Sequence, residues 1–163
     1  MNACALIGCR PEKLPYGNDE RAPRCEQLKQ RLFCEILRMT REGVRIFLSG
    51  MEGGADVWAA ETVLQIQTVK PSQHIELWAI VGSDRQAREW SETDLVRRQA
   101  ILERASRVES ACSDSDNGCA QKNRYMIDRA PHLLAVYGGR TDETASAIRY
   151  ARQKGLNITI IEP

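Results

Sequence analysis

Ser49-Gly50-Met51-Glu52-Gly53-Gly54-Ala55-Asp56-Val57-Trp58-Ala59-Ala60-Glu61 sets adjacent glycines and a carboxylate just ahead of an apolar helical pattern. That arrangement suits binding through the main chain. Glycine reaches positive φ and lets a ligand approach the backbone closely. A helix opening near Ala55 offers unpaired N–H groups and the positive end of its dipole, which favour a phosphate or a carboxylate. Two more glycine positions share the setting: Gly8 ends the apolar run Ala3 to Gly8, and Gly138 and Gly139 follow Leu-Leu-Ala-Val-Tyr. Any one of these can be a tight strand-to-helix turn and nothing more. Three at one sheet edge favour a ligand cleft containing Gly8, Ser49, Gly50, Gly53, Gly54, Gly138 and Gly139. Neither the dinucleotide pattern G-x-G-x-x-G nor the P-loop pattern G-x-x-x-x-G-K-[ST] occurs, which disfavours a plain NAD or ATP-hydrolysing site.

Side chains near these glycines supply the rest of the candidate chemistry. Arg10 stands two residues past the first run, at the expected rim, where it can pair with an anion or remain solvated. Asp56 in a first helical turn has a plain role through the helix dipole and a sharper one as a ribose contact or general acid/base. Glu61 is the other catalytic candidate, or else faces an arginine within the protein. Trp58 reads as core before stacking platform. Asn123 can meet amide or hydroxyl groups of a ligand, and Lys122 and Arg124 beside it can bind phosphate or be solvated. Cys9 has no histidine partner, because His74 and His132 both begin strands at the far end of the sheet.

The elements that must position these residues alternate along the chain. Strands are expected at Ala3–Gly8, Val44–Ser49, His74–Val81, His132–Gly138 and Asn157–Glu162, with a weak edge strand in Arg-Val-Glu-Ser-Ala-Cys. Leu28, Leu32, Ile36 and Met39 repeat at helical spacing after Pro23, and Gly43 is the stop. Further helices are expected from about Ala55 to Lys70, from Ser91 to about Ala105, from Gly118 to Ala130 and from Asp142 to Lys154. Ser91 with Asp94 resembles a capping box. The stretch between Val81 and Ser91 reads as a loop with one helical turn. Alternation of this kind implies an α/β, doubly wound, mainly parallel Rossmann-like sheet with helices on both faces. Ligands of such sheets bind beyond the carboxyl ends of the strands, near the switch point.

The totals narrow the classes. A chain of 163 residues suits a single domain, 1–163. A formal net charge of +1 gives no broad electrostatic footprint, so nucleic acid is a disfavoured partner. No run approaches the roughly 18 apolar residues of a membrane span, and the start lacks a signal-peptide pattern. With no export signal, the six cysteines are expected as thiols in a cytoplasmic protein. Their spacing gives no metal site, since there is no Cys-x-x-Cys and no histidine near Cys112 and Cys119. No cofactor is called for, and a homo-oligomer is left open.

Gly-Cys-Arg-Pro-Glu-Lys-Leu from Gly8, the glycine loop, Arg-Gln-Ala-Arg-Glu-Trp ending at Trp90, Gln121 to Asp128, and Leu133 to Ala151 occur in the same order as in the YpsA-like family. The chain resembles that family over nearly its whole length. The wider SLOG superfamily of Rossmann-like proteins also includes DprA and the phosphoribohydrolases called LOG. The resemblance implies a nucleotide or nucleotide-derived ligand at the glycine loops and no established reaction. It places Arg10, Gly50, Asp56, Trp58, Glu61, Gln86, Trp90, Asn123, Gly138 and Thr144 on motif positions. Two departures stand out. Cys9 occupies a position where relatives often carry histidine, and Asp142-Glu143-Thr144 replaces a Gly-Gly-Thr before the last long helix. A carboxylate pair there would repel a phosphate, so that loop is expected to take a sugar or base. The longer LOG glycine motif with its catalytic glutamate is missing. The expected function is binding or sensing of a nucleotide-like small molecule. Cleavage of an N-glycosidic bond by Asp56 or Glu61 is the alternative, and DprA-like DNA binding is a third.

Overall fold

The computed structural model describes residues 2–82, 88–111 and 118–163. Strand β1, Ala3–Gly8, is the axis of the architecture. Its first four residues are at most 1% exposed, as a short apolar run in the middle of a parallel sheet must be. The chain continues through α1 (Pro23–Arg41), β2 (Ile46–Ser49), α2 (Ala55–Val69), β3 (Glu76–Val81), α3 (Glu92–Arg104) and β4 (Arg107–Ser110). It then passes through α4 (Gly118–Ile127), β5 (His132–Val136), α5 (Glu143–Lys154) and β6 (Asn157–Ile161). The strands pair in the order β4-β3-β2-β1-β5-β6, and every pairing is parallel. Winding proceeds outward from β1 to β4 and then returns to the other side of β1. The switch point therefore lies at β1, where Leu6 pairs with Ser49 on one side and Leu134 on the other.

Alternation along β1 divides the core into two layers. Cys4 and Leu6 pack with Leu28, Leu32 and Ile36 of α1, Trp58 and Val63 of α2, and Ile101 of α3. Ala3, Ala5 and Ile7 pack with Met126 and Ile127 of α4 and with Ala147, Ile148 and Ala151 of α5. The period of two in a strand sends successive side chains to opposite faces, and both faces are covered. Helix α2 lies between two neighbours as well as on the sheet, and ten of its fifteen residues are buried. That explains why its sequence is apolar nearly all round, whereas α1 shows a stripe. Each fully buried Val, Leu or Ile contributes about 1.5–3 kcal/mol.

The element types agree with the sequence reading, and the differences lie at boundaries. Strand β2 begins at Ile46, because Val44 N–H still closes the end of α1 through Met39 O at 3.0 Å. Strand β3 begins at Glu76, because Pro71–Gln73 forms a 3-10 turn and His74 is left-handed at φ 50°. Helix α4 ends at Ile127, a turn earlier than expected. Arg107–Ser110 is the edge strand beside β3. Asp142 caps α5, its Oδ1 accepting Ala145 N–H at 3.0 Å. The stretch 83–87, with Gln86 and the expected helical turn, and Cys112 lie outside the described residues. Among the described residues no helix is long and apolar enough to cross a membrane.

Gly8 shows how tightly the switch point is built. A Cβ on Gly8 would stand 2.5 Å from Ala55 Cβ and 3.3 Å from Val136 Cβ, both fixed by the backbone. Gly8→Ala is expected to destabilise the chain by about 1–3 kcal/mol, as overpacking of a filled core does. A urea denaturation midpoint equal to that of the parent chain would refute this packing account.

Candidate functional site

Ser49 ends β2 and shapes the loop that follows. It is fully buried, its Oγ donates to Asp56 O at 3.1 Å, and it accepts Met51 N–H at 3.3 Å. Gly50 makes room for a neighbour, since a Cβ there would lie 3.0 Å from Lys122 Cε and 3.4 Å from Asp56 Oδ2. Gly53 and Gly54 take φ of 94° and 56°. A Cβ on Gly54 would fall 2.7 Å from Cys9 O, so glycine there lets the β1 loop cross close above the start of α2. Ala55 N–H donates to Cys9 O at 3.3 Å, and the two loops are thereby joined.

Lys122, expected to bind phosphate or be solvated, is instead buried and paired within the protein. Its side chain has no exposure; Nζ donates to Gly50 O at 2.7 Å and pairs with Glu52. Glu52 in turn meets Arg10 at 3.5 Å, so Arg10 is at the rim as expected but already has an anionic partner. Sequence reasoning overlooked Glu52. A signal for Lys122 was present, because Lys122, Asn123, Met126 and Ile127 form one helical face and all four are buried. Arg124 is exposed, its guanidinium 5.2 Å from the Tyr150 ring centre.

Asp56 is 3% exposed at the start of α2. Its Oδ2 accepts Glu52 N–H over a long 3.4 Å. Among the described residues, its Oδ1 is buried without a hydrogen-bond partner. Burial first, and the nearby Glu52 charge second, push the Asp56 carboxyl up to about 7, against the opposing pull of Lys122. Asp56 therefore exchanges a proton near neutral pH, as a general acid or base would.

Two hollows open at this edge. The smaller, about 20 Å³, is lined by Gly8, Cys9, Arg10, Lys13, Glu52, Asp56, Cys119, Asn123, Asp142, Glu143 and Thr144, among others. Residues following β1, β2 and β5 meet there with α4. The larger, about 660 Å³, is bounded by Gly53, Gly54, Val57, Trp58 and Trp90 and by Glu12, Glu20, Glu89, Asp94 and Arg97. Arg10 and Glu52 belong to both. The larger volume is that of a small-molecule cleft. Trp90 lies on the glycine loop, with Cζ2 3.5 Å from where a Gly53 Cβ would be. Trp58 serves the core at 4% exposure and still borders the cleft. Gly139 takes φ 90° over open space, and Gly138 sits against Pro163; neither borders these two hollows.

Glu61 is not at the glycine rim. Arg97 grips its carboxylate, with Nη2 to Oε2 at 2.6 Å, and also binds Glu20 at 2.6 and 2.9 Å. The internal arginine partner is the reading that holds. Cys9 Sγ donates to Val136 O at 3.2 Å, and burial pushes its thiol up, so it is no activated nucleophile. Burial likewise raises the Cys119 thiol to about 12. His132 opens β5, at the end of the sheet away from Cys9.

The raised Asp56 value has a pH consequence. The unfolded carboxyl ionises near 3.8 and the folded one near 7. The folded state thus holds the extra proton between these values, and stability is lost as pH rises through that window, by an amount on the order of 4 kcal/mol. Asp56→Asn removes the titration. The variant should gain stability relative to the parent between pH 5 and pH 8 in urea denaturation. An unchanged difference across that range would show that Asp56 is ionised throughout.

Comparison with known proteins agrees with this fold. The YpsA family model, described as the YspA SLOG family, matches residues 4–162. A UPF0398 protein of Halalkalibacterium halodurans is 32% identical over 141 residues, covering 84% of this chain and 72% of that protein. One from Bacillus pumilus is 29% identical over 146 residues, covering 87% and 76%. Among solved structures, DNA processing protein A (DprA) from Streptococcus pneumoniae superposes with a TM-score of 0.64 at 12% identity. The DprA from Helicobacter pylori, solved for its single-stranded DNA binding mode, gives 0.63 at 15%. Each covers 98% of this chain, which spans 50% and 64% of those two proteins; such identities show the fold alone. With the family match running from β1 to β6, this chain belongs to the YspA SLOG family.

Proposed function

We propose that the chain binds a nucleotide or nucleotide-derived small molecule at the carboxyl ends of its strands, as a binding or sensing module. The observation that carries this reading is the 660 Å³ cleft, which sets Trp58 and Trp90 beside Gly53 and Gly54 and shares Arg10 with the Asp56 hollow. Tryptophan offers a broad apolar face to a base. The glycines admit close approach, and Asn123 and Thr144 supply buried polar groups to orient a ligand. The same reading makes the chain cytoplasmic, with Cys4 and Cys25 carried in the core as free thiols.

Ligand at one hundred times its Kd stabilises a protein by about 2.7 kcal/mol. For a chain of this size that is a rise in Tm of roughly 5–10 °C. Such a rise is expected for at least one member of a nucleoside and nucleotide panel, and Trp90→Ala should abolish it. A flat response across the panel would end the proposal.

Asp56 favours a second reading. A carboxyl of raised pKa with a free buried oxygen suits general acid/base work on an N-glycosidic bond. Incubation with nucleoside monophosphates and chromatography for free base tests it. Release of base, abolished in Asp56→Asn, would make the module an enzyme; no release leaves it a binder. The single-stranded DNA reading rests on the fold shared with the DprA proteins. Among the described residues, five carboxylates against two arginines on the cleft wall oppose it, because a phosphate backbone needs a basic track.

A further inference from the structure

The ends of α2 and α5, where a phosphate would be sought, already hold carboxylates of the protein. At α2, Glu52 N–H is directed to Asp56. At α5, Asp142 caps the first turn through Ala145 N–H. Among the described residues, the small hollow between them has four carboxylates, Glu52, Asp56, Asp142 and Glu143, against Arg10 and Lys13. Both cations are engaged, Lys13 with Glu143 at 2.9 Å and Arg10 with Glu52 at 3.5 Å. A volume of about 20 Å³ admits one water-sized group. Neither charge nor space suits a phosphate.

What the hollow does offer is an acceptor. Asp56 lines it, is 97% buried, and among the described residues its Oδ1 has no donor. Buried polar atoms in native structures are almost always paired, so this oxygen is set for a donor carried by a ligand. Asn123 and Thr144 line the same hollow at 6% and 4% exposure. Through Arg10 and Glu52 the hollow adjoins the cleft of Trp58 and Trp90, where a base would lie.

Building on the nucleotide-type reading above, we infer that the site recognises a nucleoside by a ribose hydroxyl donated to Asp56, and that the phosphate adds nothing to binding. Within the panel of nucleotide-derived compounds, the preferred ligand is thus the nucleoside itself or a derivative whose phosphate stays in solvent.

Calorimetric titration of the full chain with adenosine, guanosine, cytidine and uridine, their 5′-monophosphates and their 2′,3′-dideoxy forms tests this. The preferred nucleoside should bind at least as tightly as its monophosphate. At pH 8, where Asp56 is ionised, loss of the hydroxyls should weaken binding about tenfold or more, as loss of a hydrogen bond to a charged group does. In Asp56→Ala the ribose and dideoxy forms should bind equally; if that variant does not fold, the dideoxy comparison decides alone. A monophosphate more than about threefold tighter than its nucleoside, or a dideoxy form within about threefold of the ribose form, overturns the inference and leaves the nucleotide-type reading standing. If no compound of the panel binds, that reading falls and this inference with it.

Discussion

The buried ammonium of Lys122 is the tie on which the shape of this sheet edge depends. An unpaired buried charge is strongly unfavourable, and removing one partner of a buried pair typically costs 3–5 kcal/mol. Lys122 answers that constraint with the Gly50 carbonyl and the Glu52 carboxylate. The lysine belongs to α4 on one face of the sheet, and the loop it holds leads to α2 on the other. Glu52 extends the tie to Arg10 beyond β1. Between these anchors Met51 is held at φ 56°, in the left-handed region that non-glycine residues seldom enter. Such a conformation persists only where its surroundings over-determine it.

The same tie sets the electrostatics. Burial, and after it the nearby Glu52, keeps the Asp56 carboxyl protonated to higher pH. The positive end of the α2 dipole therefore meets a carboxyl of its own chain. A glycine loop before a helix ordinarily reads as an anion site, but here its first occupant is internal. The main-chain amides at the rim are consequently less open than the glycine content suggests, and the room for a ligand lies to one side, above Gly53 and Gly54.

A second network braces the cleft from the α1, α2 and α3 face. Arg97 of α3 joins Glu61 of α2 to Glu20 before α1, and Lys29 of α1 completes it at 2.7 Å from Glu20. The Arg97 contacts, then Lys29, hold the Glu20 carboxyl down to about 2. Lys29 also lies 5.2 Å from the Trp58 ring centre, which fixes the tryptophan between core and cleft. These groups are about one-third exposed, so solvent screening limits what each pair contributes. Their effect is positional.

The sequence by itself determined the alternation of elements, the parallel sheet, the burial of β1 and β5, the Asp142 cap and the edge to which glycines would be brought. These follow from short-range rules: apolar periodicity, glycine and proline punctuation, and a capping side chain. It also placed Arg10, Asp56, Asn123 and Thr144 near one another, because loops after strands of one parallel sheet share an edge. Only the tertiary structure decided which charges are used internally. Lys122 and Glu52 are 70 residues apart and Arg97 and Glu61 36 apart, and no local pattern pairs them. Whether a carboxylate serves a ligand or the fold is settled by which helix end and which cation lie within about 3 Å of it, and that distance exists only once the chain has closed.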